Sequence, residues 1–343
     1  MVNKTKKALI TGIIGQDGSY LSELLLEKGY QVYGLRRRRS DASFGNVNHI
    51  KDKIKIIYGD LTDMVSLVNA IKECMPDEIY NLAAQSFVSP SFTNPVSTSL
   101  VNGIGVINLL EAVKTVKPDT KVYQASTSEM YGEVIESPQK ETTPFNPLSP
   151  YGVSKVFAHY TVKNYRSSHG LFACSGILFN HESERRGLEF VSRKITDAVA
   201  KIYLGKQEVL ELGNINTQRD WGHAKDYVRA MWLMLQQDKP DDFVISTGKS
   251  CTVRDFASKA FSMVNKQIEW VGEGINEFGV DVSTGKKLVS INPDYFRPNE
   301  VNALRGDSTK AKNKIGWYPK ISLETMIKDM VANDIKINEV IRG

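Results

Sequence analysis

From residue 7 to about residue 180, short apolar runs alternate with longer stretches in which apolar residues recur every three or four positions. The runs are KALIT, YQVYGL, IKIIYGD, DEIYNLAA, TKVYQAS and FACSGIL. Near-continuous apolarity marks strands of a parallel sheet covered on both faces, because both sides of each strand must then be buried. Between the first two runs, SYLSELLLEKG places Tyr20, Leu21, Leu24 and Leu25 on one helical face, and Gly29 stands where a left-handed cap would end the helix. Repetition of this unit predicts an α/β architecture with a doubly wound parallel sheet over residues 1–180. Past that point charged, loop-prone stretches (HESERRGLEF, GNINTQRDWG, INPDYFRPNEV) interrupt shorter helical patterns, VSRKITDAVAKIYLG and YVRAMWLMLQQ. They predict a smaller α/β lobe mainly over residues 181–343, with the chain free to cross between lobes. No repeat or low-complexity linker separates the halves, so one compact unit with a cleft is expected.

Composition narrows the classes. The chain has 343 residues, 41% of them apolar, and a net charge of +5 spread along its length. That is enough apolar material for a large core, and too diffuse a charge for a nucleic-acid surface, although it suits a phosphorylated small molecule. The one dense basic run is Arg36 to Arg39. Cys74, Cys174 and Cys251 are odd in number, widely spaced and without a CxxC, which argues against a disulfide framework and a zinc site and for a reducing cytoplasm. The apolar run near the N-terminus is too short for a signal sequence, and no later stretch is expected to reach the ~20 apolar residues of a membrane span.

TGIIGQDG lies between the first strand and the first helix. Gly12, Gly15 and Gly18 there permit a tight turn and close approach of a pyrophosphate, with Gln16 and Asp17 as further candidate cofactor-binding residues between them, while the helix start offers unpaired N–H groups to the anion. The alternative is a merely structural turn. A site for NAD would end its second strand with Asp or Glu to hold the ribose diol; here that strand runs YGLRRRRS. With no carboxylate to repel a 2′-phosphate and with Arg36 and Arg37 to bind one, NADP is the expected cofactor. A solvated basic run or a subunit contact is the other reading, above all for Arg38 and Arg39.

SPYGVSK puts Tyr151 and Lys155 four residues apart on one helical face, where an ammonium is expected to lower the phenol toward working pH so that it shuttles a proton. Thr127, in ASTSEMYGE at the end of the fifth strand, is placed to hydrogen-bond the same substrate oxygen. Together these predict oxidation of an alcohol by a Rossmann-type, NADP-dependent enzyme. His181 and His223 have no metal-site spacing around them and are expected to serve structural hydrogen bonds.

With those motifs the chain resembles the extended short-chain dehydrogenases/reductases, and within them the GDP-mannose 4,6-dehydratase family, over nearly its whole length. The resemblance rests on ALITGIIGQDGSYLSELLLEKGY, YNLAAQSFV, YQASTSEMYG, PFNPLSPYGVSK, GILFNHESERRGLEFVSRKIT, LGNINTQRDWGHAKDYV and YFRPNEV. It implies conversion of GDP-mannose to a 4-keto-6-deoxy sugar with no net redox change. Glu129 would then take the C5 proton and protonate the departing C6 oxygen, which one carboxyl group can do. The resemblance also implies diphosphate, guanine and ribose contacts from Asn180, Arg186, Lys194, Arg219, Arg297 and Glu300. Asp60 and Leu61 match adenine contacts, and Ser86 and Ser128 the edge of the nicotinamide and sugar site. Relatives of this kind assemble as dimers or tetramers; in this chain the arginines of the contacting segment are kept, while the loop beyond them, SDASFGNVNHI, differs. A related GDP-sugar such as a GDP-manno-heptose, a 4-epimerase without need of an acid at C6, and a non-catalytic NADP-binding regulator remain as alternatives.

Overall fold

The computed structural model describes residues 5–38, 40 and 43–340; Arg39 lies outside the described residues. The first half contributes strands β1 (Lys7–Thr11), β2 (Gln31–Arg36), β3 (Lys55–Tyr58), β4 (Glu78–Asn81), β5 (Lys121–Thr127) and β6 (Ala173–Leu178). Between them run helices α1 (Gln16–Glu27), α2 (Met64–Cys74), α3 (Val88–Thr93), α4 (Pro95–Ser99), α5 (Gly105–Val116) and α6 (Pro150–His169). The second half adds β7 (Asn180–Glu182), α7 (Val191–Tyr203), β8 (Leu210–Leu212), β9 (Gln218–Arg219), β10 (Trp221–His223), α8 (Ala224–Leu235) and β11 (Phe243–Ile245). It ends with β12 (Cys251–Thr252), α9 (Val253–Ser262), β13 (Ile268–Val271), β14 (Phe278–Asp281), β15 (Lys287–Ile291), α10 (Thr309–Ile315) and α11 (Leu323–Val340).

All six predicted strands form. With β11 they build a seven-stranded parallel sheet in the order β11-β6-β5-β4-β1-β2-β3. The expected α1 also forms, with Tyr20, Leu21 and Leu25 buried and Gly29 left-handed at φ 78°. One apolar layer packs α1 and α8 on the sheet and another packs α2, α5 and α6 on the opposite face. Chain order reverses between β1 and β4, and in doubly wound sheets a crevice for ligands opens at the carboxyl ends of such a pair. The smaller lobe folds around α7, α9 and α11 against the sheet β13-β14-β15-β8, with short pairs β7–β10 and β9–β12 beside it.

Two features depart from the sequence pattern. The seventh strand, β11, and the helix before it, α8, come from the second half of the chain but pack in the first lobe. In addition, the continuous helical run Pro95–Val116 is 22 residues long and apolar enough, by length and composition, to cross a membrane, contrary to expectation. Half of its most apolar window is buried in the fold, where it contacts α2 and α6; the apolarity that passes the membrane test is what a core helix on a two-sided sheet requires.

β11 is pinned by an ion pair. Arg166 on α6 grips Asp242 at 3.0 and 2.5 Å, and Asp242 also accepts from Ser175 N at 2.8 Å. Burial alone would raise the Asp242 carboxyl, but the Arg166 hydrogen bonds and charge hold it below the ordinary carboxylate range. A depressed pKa contributes stability that is complete above the unfolded value and lost as pH falls through the folded one. Asp242→Ala, which leaves the half-buried Arg166 guanidinium with Ala173 O alone, should lower the unfolding free energy by about 2 kcal/mol at neutral pH. In urea titrations that deficit should shrink as the pH is taken below 4, the ordinary Asp value being about 3.9; an unchanged midpoint at neutral pH would show that the pair does not hold β11.

Candidate active site

The cleft at the β1/β4 switch point has a volume of about 1400 Å³, and all the candidate cofactor, catalytic and substrate residues named above line it. Its floor begins at the glycine loop. Gly12 has φ 69°, and a Cβ there would lie 2.9 Å from Ala83 N. At Gly18 a Cβ would meet Gly12 O at 2.4 Å and Ile13 Cα at 2.6 Å, so the first turn of α1 lies against the loop. Gly15, the N-cap residue, makes no side-chain cap to α1, and Gly15, Gln16, Asp17 and Gly18 of its first turn line the cleft. Arg36 is buried with its guanidinium 5.5 Å from the Phe44 ring, and Arg37 is exposed at the rim. Asp60 accepts from Thr62 N and Oγ1 at 2.9 and 2.8 Å, and buried Leu61 follows it.

Sequence reasoning missed two residues that fix this floor. The Thr11 hydroxyl donates to Asn81 at 2.6 Å and accepts from Leu82 N and Ala83 N at 3.0 Å each. Asn102 sits in a π-helical turn, Leu100–Ile104, and clamps the loop carrying Ser86 by accepting from Gln85 N and donating to Gln85 O, both at 2.9 Å. It also donates to Ser154 on α6 at 3.3 Å. An Asn beside Gly103 in the apolar run SLVNGIGVINLL was the available signal.

Opposite the floor, Ser149 caps α6 by accepting from Gly152 N at 3.0 Å and Pro150 occupies its first turn, so Tyr151 and Lys155 are presented to the cleft. Thr127 ends β5; its hydroxyl accepts from Glu129 N at 3.2 Å and pairs with the Tyr151 phenol. The expected lowering of the phenol by Lys155 is not what the structure shows. Burial pushes Tyr151 up to about 12, with the Thr127 hydrogen bond opposing the rise and the Glu129 charge adding to it. Lys155 instead donates to Ala125 O at 3.0 Å, and burial takes its ammonium down to about 8. With Nζ turned to a carbonyl and 5.8 Å from the Tyr151 ring, the cation acts weakly on the phenol.

The second lobe supplies the far wall. Glu300 ties Arg219 at 3.0 Å and Arg297 at 3.4 Å, and Arg219 also donates to Val301 O at 2.7 Å. Glu129 follows Thr127 in the turn Ser128–Met130 and lines the cleft, and its charge acts on both Tyr151 and Arg219. Lys194 lies 3.4 Å over the Tyr295 ring and Arg186 3.5 Å over Phe190. Asn180 and His181 project from β7. His223, the N-cap of α8, accepts from Lys225 N at 3.0 Å, a structural bond as expected.

A doubly wound sheet with a glycine loop at its switch point, a Tyr/Lys pair on the following helix and a second lobe closing the cleft defines the extended short-chain dehydrogenase/reductase class. The chain belongs, within that class, to the GDP-mannose 4,6-dehydratase family, whose model, described as GDP-mannose 4,6 dehydratase, matches residues 9–330. It is 53% identical over 340 residues to the human GDP-mannose 4,6 dehydratase, covering 96% of this chain and 91% of that protein. Among solved structures it is similar to the UDP-glucose 4-epimerase of Thermotoga maritima with UDP-glucose, with TM-score 0.82, 26% identity and 97% and 99% of the two chains covered. The Thermus thermophilus UDP-glucose 4-epimerase in complex with NAD gives TM-score 0.80 at 26% identity, covering 96% and 98%.

Because the contacts a Cβ would make at Gly18 are with backbone that cannot swing aside, Gly18→Ala should open the glycine loop. We expect the purified variant to fold normally by circular dichroism and to bind a nicotinamide dinucleotide at least about tenfold more weakly in fluorescence titration. Native affinity would show that the loop does not need this close approach.

Proposed function

We propose that the protein is a GDP-mannose 4,6-dehydratase that works through bound NADP. The observation that carries this is a carboxylate, Glu129, lining the same cleft as Thr127, Tyr151 and Arg219, with its charge acting on both Tyr151 and Arg219, in a chain of the dehydratase family. The donor set fits the cofactor: unpaired N–H groups at the α1 terminus suit a pyrophosphate, Arg36 and Arg37 suit a 2′-phosphate, and Asp60 and Leu61 sit where an adenosine would end. When bound, NADP would supply the hydride acceptor for C4 and the hydride donor for C6.

The chain's own residues move the protons. Thr127 and Tyr151 hold the C4 hydroxyl, and Tyr151 removes its proton as the C4 ketone forms. A phenol pushed up to about 12 is a reluctant acid, so this step depends on the cationic Lys155 being drawn from Ala125 toward the reacting end of the site. The new ketone acidifies C5–H; Glu129 takes that proton and delivers one to the departing C6 oxygen. Asn180, Arg219 and Arg297 bind the GDP diphosphate and ribose with Glu300, and Arg186 and Lys194 meet the guanine, while Ser86 and Ser128 border the sugar. Guanidinium forks on phosphate and a carboxylate on a diol are the pairings these groups favour. The protein also self-associates in this reading: Val96, Leu100 and Ile104 of the Pro95–Val116 run and Val153, Phe157 and Tyr160 of α6 expose a shared apolar face suited to a second copy.

Glu129→Gln keeps size and hydrogen bonding but cannot exchange a proton at neutral pH. Turnover of GDP-mannose should fall about 10²–10⁴-fold, while rapid mixing should still show the nicotinamide absorbance rise and then persist, with no deuterium entering C5 from solvent. Normal turnover, or loss of the absorbance step together with turnover, would remove Glu129 from the elimination; an isobaric product from the native protein would mark an epimerase. For the cofactor, replacing Arg36 and Arg37 together by Ala should weaken NADP by about 10²-fold and leave NAD within about threefold. Equal weakening of both would make the arginines structural.

A further inference from the structure

His181 occupies an unusual position: both of its ring nitrogens face acceptors. Nδ1 lies 2.8 Å from Phe179 O and Nε2 lies 2.7 Å from the Asp17 carboxylate. A neutral imidazole has one donor and one acceptor, so it satisfies only one of these; donating to both requires the imidazolium. The ring is fixed from a third side by Tyr227 of α8, stacked at 4.5 Å and 18°. Asp17, for its part, stands in the first turn of α1, where the cofactor's pyrophosphate is proposed to bind. A bare carboxylate at that place would compete with the pyrophosphate for the helix terminus and repel it.

We propose that His181 is a positioning residue for the cofactor: as an imidazolium it cancels the Asp17 charge at the pyrophosphate end of α1 and locks the glycine loop to β7, the strand that carries Asn180. Two further bonds make the same junction, Gln16 Nε2 to His181 O at 3.0 Å and Ser183 Oγ to Gln16 Oε1 at 2.8 Å. Gln16 Nε2 also reaches Asp17 Oδ1 at 3.1 Å, so both carboxylate oxygens are committed within the protein rather than to a ligand. The electrostatics agree with the geometry. Burial opposes charge on either partner, yet the His181 charge, aided by Arg186, brings Asp17 below the ordinary carboxylate range, and Asp17 carries His181 above the ordinary histidine value. The charged and titratable groups facing the ring are Asp17 from α1, Arg186 from the segment after β7, and Tyr227 from α8. Arg186 works against the imidazolium and is itself drawn to Glu182 at 3.1 Å. Because the pKa of His181 is raised, the ion pair is complete at and below the ordinary histidine value and is lost as pH rises through the raised one.

This inference rests on the proposed dinucleotide site, and the test separates the two. NADPH affinity is measured by fluorescence titration on the full-length native protein and on H181Q, D17N and the double variant, with circular dichroism as the fold control. H181Q removes the cation and leaves Asp17 uncompensated; affinity should fall about tenfold or more, and the loss should diminish at high salt. Adding D17N to H181Q removes the stranded anion and should restore affinity to within about threefold of native, a coupling that loss of packing would not produce. Native affinity should weaken as the pH is raised above neutrality, and the double variant should lack that decline. If H181Q fails to fold, D17N alone decides: binding at native strength or tighter supports a neutralising role for His181, and binding weakened tenfold overturns it. A double variant as weak as H181Q, or H181Q at native strength, overturns it equally. Failure of the native protein to bind NADPH would instead refute the cofactor reading.

Discussion

The hydroxyl of Thr11 stands at the point where the sheet changes direction. It joins the end of β1 to the end of β4 through Asn81 and takes the N–H groups of Leu82 and Ala83, which would otherwise be orphaned as the chain leaves β4. Asn81 in turn donates to Gln124 on β5 at 2.7 Å, so one buried polar chain crosses three strands just below the cleft. The glycine loop above it closes against that same backbone, and the Ser86 loop starts from it. A methyl in place of the Thr11 hydroxyl would leave two buried donors unpaired at the one place where cofactor loop, sugar edge and catalytic strand converge.

The far wall obeys a different constraint. Asp220, next to Arg219, is buried and collects Thr247 N and Oγ1 at 2.8 and 2.6 Å, Gly248 N at 2.9 Å and Gly306 N at 3.3 Å. Burial pushes its carboxyl up to about 6, with those four donors opposing the rise. It gathers the loop after β11, the segment before α10 and the strand of Arg219 around one carboxylate. The arginine wall is held by the protein's own contacts, with Glu300 keeping Arg219 and Arg297 close together despite their like charge.

Where the sequence carried a period or a spacing, the structure was legible in it. Strands buried on both faces cannot hide their apolar runs, and the Tyr151/Lys155 spacing by itself implies a shared helical face. What lacked a local signal was not visible. β7, β9, β10 and β12 are two or three residues long and have no periodicity. β11 is three apolar residues whose partner lies far away in sequence. The helical run Pro95–Val116 does not read as a continuous apolar span because Ser97, Thr98, Ser99, Asn102, Asn108, Glu111 and Lys114 interrupt it, and only the fold shows Thr98, Asn102 and Asn108 bonded internally. Burial energies were equally hidden: Lys155 was visible as a cation near Tyr151, but not as one turned to Ala125 O. His181 was expected to be a structural hydrogen-bonding residue, and only the two acceptors facing its ring reveal a charge.

The late arrival of β11 bears on how the molecule is made. Until residues 243–245 leave the ribosome, β6, whose six residues are all buried in the finished fold, is an unprotected edge strand. An apolar edge of that kind pairs readily with other chains. The nascent protein must therefore complete the whole segment from β7 through α8 before its central sheet is sealed. A chain interrupted at the boundary suggested by its change of pattern, near residue 180, would carry the glycine loop and the catalytic tyrosine into solution with that flank bare.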